Sequence, residues 1–305
     1  MDIAIMLEGQ NGLNWPRFKR LARTVEELGC AGLFRSDHFT NTQPPDIDSL
    51  ELWVSLAWLA SHTQRIEFGP LVTPFSFRHP VFVARMGKDV DDLSGGRLTL
   101  GVGAGWQARE HAMFGFDLLP LDKRMDRFAE GVEVVSRLLR SDEPVTYRGE
   151  FYRLEEAVLL PRPQRPGGPR LLIGGKGLKR TLPLAARFAD EWNTTFMPPD
   201  QFAELNARLS DLVLEAGRDP RRVRRSLMTN LIFGRDDTEL HAKLEGRDAA
   251  ELRARGLVAG TAGAVQDQLG ALAEAGVERI MLQWLDLDDL DRLAAFAEVA
   301  LGRPW

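Results

Sequence analysis

Asp92-Leu93-Ser94-Gly95-Gly96-Arg97-Leu98-Thr99-Leu100-Gly101-Val102-Gly103 closes one helix, turns, and opens a β-strand. Upstream, Pro80–Leu93 reads as a helix with proline near its start, and Ser94-Gly95-Gly96 ends it. Residues 98–103 then form a compact apolar run suited to a buried strand. Working toward the N-terminus, the exchange recurs. Residues 66–73 read as a strand, 50–61 as a helix with Leu52, Leu56 and Leu59 on one side, and 32–38 as a strand. Residues 15–28 space Phe18, Leu21, Ala22, Val25 and Leu28 as a helix does, and 3–9 form the first strand. Toward the C-terminus, 123–139 read as a helix and 144–154 as a hairpin insertion turning at Arg148-Gly149. Strands follow at 170–175, 191–196, 226–234 and 279–285, with helices at 179–188, 199–216, 262–275 and 288–301 and a short extra helix at 246–255. Eight strand–helix units in series, with no Pro-, Gly- or Ser-rich linker, predict one α/β domain over residues 1–305. Its expected form is a closed (β/α)8 TIM barrel with insertion segments, and a doubly wound open sheet is the structural alternative.

The composition narrows the function. The chain has 305 residues, 44% hydrophobic and 27% charged, with a formal net charge of −5 spread along its length. That gives no electrostatic footprint for nucleic acid or an acidic membrane. Arg221-Arg222-Val223-Arg224-Arg225 is short and reads as solvated surface. The one cysteine, Cys30, lies in an apolar stretch and points to a reducing compartment. The N-terminus lacks a basic region before its apolar run, and no segment approaches the roughly 18 apolar residues of a membrane span. A cytoplasmic protein acting on small molecules is expected.

In a barrel of this kind the chemistry sits at the C-terminal ends of the strands. The polar residues there are Glu8, Asp37-His38, Thr73, the run Gly101–Trp106 with Glu110, Gly174-Gly175-Lys176, Asn193-Thr194 and Gln283. Glycines at strand ends let main-chain N–H groups approach a ligand closely. Gly101-Val102-Gly103-Ala104-Gly105-Trp106 lacks the last small residue of a dinucleotide fingerprint, and reads as either a tight turn or a ligand contact. Ile173-Gly174-Gly175-Lys176 joins a strand to a helix N-terminus, with Lys179 and Arg180 nearby, which suits an anion such as a cofactor phosphate. The histidines, at 38, 62, 79, 111 and 241, show no metal-ligand spacing, so no metal site is expected. Neither a G-x-S-x-G elbow nor a Walker A sequence is present.

Phe34-Arg35-Ser36-Asp37-His38-Phe39 resembles the second-strand motif of the luciferase-like monooxygenase superfamily. Gly69-Pro70-Leu71-Val72-Thr73-Pro74, Arg78-His79-Pro80 and Asp92-Leu93-Ser94-Gly95-Gly96-Arg97-Leu98 are similar to further motifs of that superfamily, in order. Ile173-Gly174-Gly175 with Ala189-Asp190-Glu191-Trp192-Asn193 looks like its later phosphate-loop pattern. The chain looks most like the branch that binds the deazaflavin coenzyme F420. The resemblance implies a bacterial luciferase-like TIM barrel, often dimeric, and a non-prolyl cis peptide within residues 70–73. It also implies cofactor contacts from Asp37, His38, Leu71, Val72, Thr73, Gly103, Ala104, Gly105, Trp106, Gly174, Gly175 and Lys176. Relatives frequently carry a small residue where this chain has Lys176.

The expected activity is hydride transfer between F420 and a small organic substrate such as an alcohol, sugar phosphate or activated alkene. His38 is the expected base, with Glu8 or Glu110 stabilising charge or serving as the acid. The alternatives are a reduced-FMN monooxygenase served by a separate flavin reductase, and a flavin- or deazaflavin-binding protein without turnover. Specificity is expected from residues 11–15, 40–48, 108–122 and the segment before the last strand. Trp15, Trp53, Trp106, Trp192, Phe75 and Phe77 are candidates for an aromatic pocket.

Overall fold

A computed structural model describes residues 1–302. Its strands are β1 (Asp2–Leu7), β2 (Gly32–Arg35), β3 (Glu67–Pro70), β4 (Thr73–Pro74), β5 (Thr99–Gly103), β6 (Val145–Arg148), β7 (Arg153–Ala157), β8 (Arg170–Gly174), β9 (Glu191–Thr195), β10 (Arg224–Phe233), β11 (Val258–Gly260) and β12 (Arg279–Gln283). The main sheet runs β3-β2-β1-β12-β10-β9-β8-β5-β4 with every pairing parallel, and β11 adds to β10. The sheet curls round until Phe68 of β3 bridges Leu98 beside β5, with the Phe68 N–H donating to Arg97 O at 3.2 Å. Helices between consecutive strands cover the outside. This is the expected (β/α)8 TIM-barrel architecture.

The two-residue period of the strands sorts the core into two layers. Ile3, Ile5 and Leu7 of β1 pack outward with helix residues such as Phe18, Leu21 and Phe296. Ala4 and Met6 point the other way and meet Phe34, Leu172, Met228 and Met281 inside the barrel. Below that layer, at the N-terminal end, Arg279 is 1% exposed and Glu191 is wholly buried, their side chains 3.2 Å apart. Arg279 also pairs with Glu67 and lies over the Phe34 ring at 5.1 Å from its centroid. Burial holds the Glu191 carboxyl above its usual range in spite of the Arg279 charge. These groups close the floor beneath the inner layer of the barrel.

Several details depart from the sequence reading. The expected continuous third strand is two pieces, β3 and β4, separated at the cis peptide Leu71-Val72, within the expected segment. Residues 108–122, expected to contribute to specificity and given no secondary structure from sequence, contain the helix Ala108–Phe114. The short extra helix expected at 246–255 is Ala249–Ala254, and a further helix, Asp237–Leu244, precedes it, with Asp236 and Asp248 side chains accepting N–H groups at their starts. Such short helices carry too few turns for an apolar stripe to show; their capping aspartates were the available signal. The hairpin is β6–β7, and its turn is held by Glu130, whose carboxylate accepts the N–H groups of Glu150, Phe151 and Tyr152 at 2.8–3.2 Å. Among the described residues, no helix is long and apolar enough to cross a membrane.

Candidate active site at the barrel mouth

A cavity of about 520 Å3 opens at the C-terminal ends of the strands. Strand polarity alone brings its walls together, because every strand of a parallel barrel presents its last residues to the same end. β1 supplies Met6 and the following Glu8, β2 is followed by Ser36, Asp37 and His38, and Leu71 and Val72 lie between β3 and β4. Gly103, Ala104, Gly105 and Trp106 come from the end of β5, Gly174 and Gly175 from β8, and Gln283 from β12.

His38 and Glu110 form the best-defined polar pair. Glu110, only 1% exposed, accepts from His38 Nδ1 at 2.7 Å through one oxygen and from the Phe39 N–H at 2.9 Å through the other. The carboxylate can only accept, so Nδ1 carries the proton and Nε2 is left as the basic nitrogen. Burial disfavours imidazolium, but the Glu110 hydrogen bond and charge outweigh it and raise the His38 pKa above its ordinary value. Trp106, 61% exposed, stands edge-on to His38 with ring centroids 5.7 Å apart.

Glu8 is held by two amides: Gln10 Nε2 donates to one oxygen at 2.8 Å, and Gln283 Nε2 donates to the other. Asp37 accepts from Thr73 Oγ1 at 2.8 Å and pairs with Arg78 at 2.5 Å; burial raises its pKa and Arg78 opposes that rise. Asp37 thereby ties the end of β2 to β4. Thr73 is fully buried in this link and does not line the cavity. Lys176 does not line it either: its side chain stands exposed on the loop after β8. Of the aromatic candidates only Trp106 reaches the cavity, while Trp53, Trp192 and Phe75 are core residues and Trp15 packs on Phe18 and Trp58.

The structure adds lining residues that the sequence reading passed over. His111 is buried, its Nδ1 donating to Gln107 O at 2.7 Å and its Nε2 accepting from Ser76 Oγ at 2.8 Å. That pairing makes it a strut under the Gly105 turn, where a Cβ would stand 2.3 Å from Ser76 Oγ. Met6 and Met228 were legible in principle, since they share the inward parity of their strands. Phe196, with φ of 47° just after β9, carried no such mark.

Residues 1–295 match the luciferase-like monooxygenase family, and the chain belongs to it. It is 37% identical over 162 residues to a 4-hydroxyprotoasukamycin monooxygenase of Streptomyces nodosus subsp. asukaensis, a match spanning 53% of this chain and 42% of that protein. It is 29% identical over 277 residues to an F420-dependent glucose-6-phosphate dehydrogenase of Kineococcus radiotolerans, spanning 89% of this chain and 79% of the relative. In fold it is similar to a solved F420-dependent secondary alcohol dehydrogenase in complex with an F420-acetone adduct, with a TM-score of 0.85, 20% identity and coverage of 98% and 97% of the two chains. The chain is an enzyme of this family; the proteins named here that it is similar to are a monooxygenase and two F420-dependent dehydrogenases.

Proposed function

We propose that this enzyme is an F420-dependent oxidoreductase exchanging a hydride with a small alcohol or carbonyl substrate. The observation that carries it is His38, whose Nδ1 is fixed by buried Glu110 so that Nε2 stands as a base at the mouth. The residues suit a planar cofactor with a phosphate tail. Leu71 and Val72 give an apolar surface, Gly103 approaches Val72 so closely that a Cβ would stand 2.4 Å from Val72 Cγ2, and a Cβ on Gly174 would project into open cavity with only Val72 Cγ1 near it, at 3.6 Å. The volume is also within the range of small-molecule sites. Beyond Gly174-Gly175 comes the start of the helix Thr181–Phe188, whose N–H groups favour an anion.

The cofactor, when bound, supplies the two-electron hydride chemistry. The protein handles the proton. In alcohol oxidation His38 Nε2 takes the hydroxyl proton, and in the reverse direction it returns it; Glu110 keeps the ring in the required tautomer. Oxidation therefore needs neutral His38, so the rate rises as pH passes its pKa. With Glu110→Gln the stabilising charge is lost, the His38 pKa falls, and the limb of the pH–kcat profile moves to lower pH. An unmoved limb would detach the titrating group from His38.

A reduced-FMN monooxygenase is the second reading, favoured by the 37% identity to the Streptomyces monooxygenase. Fluorescence titration of the apoprotein with F420 and with FMN separates the two. Micromolar or tighter F420 binding with weak FMN binding supports the deazaflavin reading, and the opposite preference replaces it with the oxygenase and its reductase partner. Gly174→Val is expected to weaken binding of the preferred cofactor by about tenfold or more, because the new side chain enters the cavity. Unchanged affinity would remove Gly174 from the contact.

A further inference from the structure

We infer that the substrate of this site is an uncharged, mainly apolar alcohol or ketone, and that phosphate monoesters are excluded. The inference rests on the oxidoreductase reading above and deepens it. Among the described residues, no lysine or arginine lines the cavity, whereas Glu8, Asp37 and Glu110 all do. Cations around the mouth are already committed. Arg78 pairs with Asp37 and Glu51, Arg109 with Asp46, Arg17 with Asp288, and Arg180 with Asp126. His38 is tied through its Nδ1 to Glu110 at 2.7 Å. Glu8 is held by the Gln10 and Gln283 amides rather than by a cation.

Lys176 and Lys179 stand exposed beyond Gly174-Gly175, outside the lining and on the side assigned above to the cofactor's own phosphate. A substrate phosphate would therefore bring about two further negative charges toward carboxylates in a partly dehydrated cavity, with no cation to receive them. The rest of the wall favours an apolar body: Met6, Trp106, Phe196 and Met228. The combination offers hydrogen bonds to one hydroxyl or carbonyl at His38 and an apolar surface elsewhere. It differs from what the name of the glucose-6-phosphate dehydrogenase relative implies for that protein.

A matched pair tests this: butane-1,3-diol and its 1-phosphate, which share the secondary hydroxyl. Their Kd values are measured by saturation-transfer NMR on protein saturated with whichever of F420 or FMN the titration selects. The diol is expected to bind about tenfold or more tightly than the phosphate, and Phe196→Lys, which sets a cation at the rim, is expected to reverse much of that ratio. Equal or tighter phosphate binding by the wild-type protein overturns the inference, as does a ratio that Phe196→Lys leaves unchanged. Selection of FMN would overturn the proposed function while the ratio of the pair still decides the substrate class.

Discussion

Replacing His38 by alanine is expected to lower kcat by about 10²–10⁴-fold, the range lost when a positioned general base is removed. Cofactor affinity should change little. The reason is geometric: Leu71, Val72 and the glycines at 103, 105, 174 and 175 form most of the surface proposed to hold the ring and its phosphate. The imidazole is tied instead to Glu110 and directs Nε2 toward the reacting hydroxyl. Stopped-flow measurement of cofactor reduction, run beside a fluorescence titration, reports the two properties separately. Loss of rate with retained binding supports the assignment. A variant that turns over like the wild type would transfer the proton to another group, with Glu8 the next candidate at the mouth.

The second large effect is structural and lies at the other end of the barrel. Arg279→Met leaves buried Glu191 without its paired cation and takes a partner from Glu67. Breaking a buried pair from one side costs about 3–5 kcal/mol, which for a chain of this size lowers Tm by roughly 5–8 °C. Adding Glu191→Gln should restore part of the loss, because an amide does not carry the stranded charge. Differential scanning calorimetry of the single and double variants measures both numbers. A fall of less than about 2 °C in the single variant would show that the floor carries little of the stability. Glu67 has Arg170 at 3.0 Å as a second partner, so the difference between the single and double variants reports mainly the charge stranded on Glu191.

The barrel was legible because apolar runs and helical spacing alternate through the whole chain, and because glycine stops such as Gly95-Gly96 separate them. Inner and outer faces of β1 follow from parity alone. The site was legible as a set of strand ends: Glu8, His38 and Gly174 are far apart in sequence, and parallel strands carry them to one opening. What sequence could not supply was side-chain direction. Thr73 and Lys176 lie at the right end of the barrel, yet one turns into a hydrogen bond with Asp37 and the other into solvent. The helix Ala108–Phe114 was hidden by its shortness and by its mixed polarity, although it carries Glu110 and His111.

That helix has a consequence for how the enzyme can be changed. Arg109 donates to Asn41 O at 2.8 Å and pairs with Asp46, Gln107 Nε2 donates to Thr40 O at 2.8 Å, and Phe39 meets Phe114 with ring centroids 4.6 Å apart. The segment after β2 and the segment after β5 are thus two halves of one wall, although about sixty residues separate them in the chain. A chimaera that imports one half from a relative severs the Arg109 clamp and unsettles Glu110, and with it His38. For recombination or directed evolution, residues 39–48 and 107–116 make up a single exchangeable cassette.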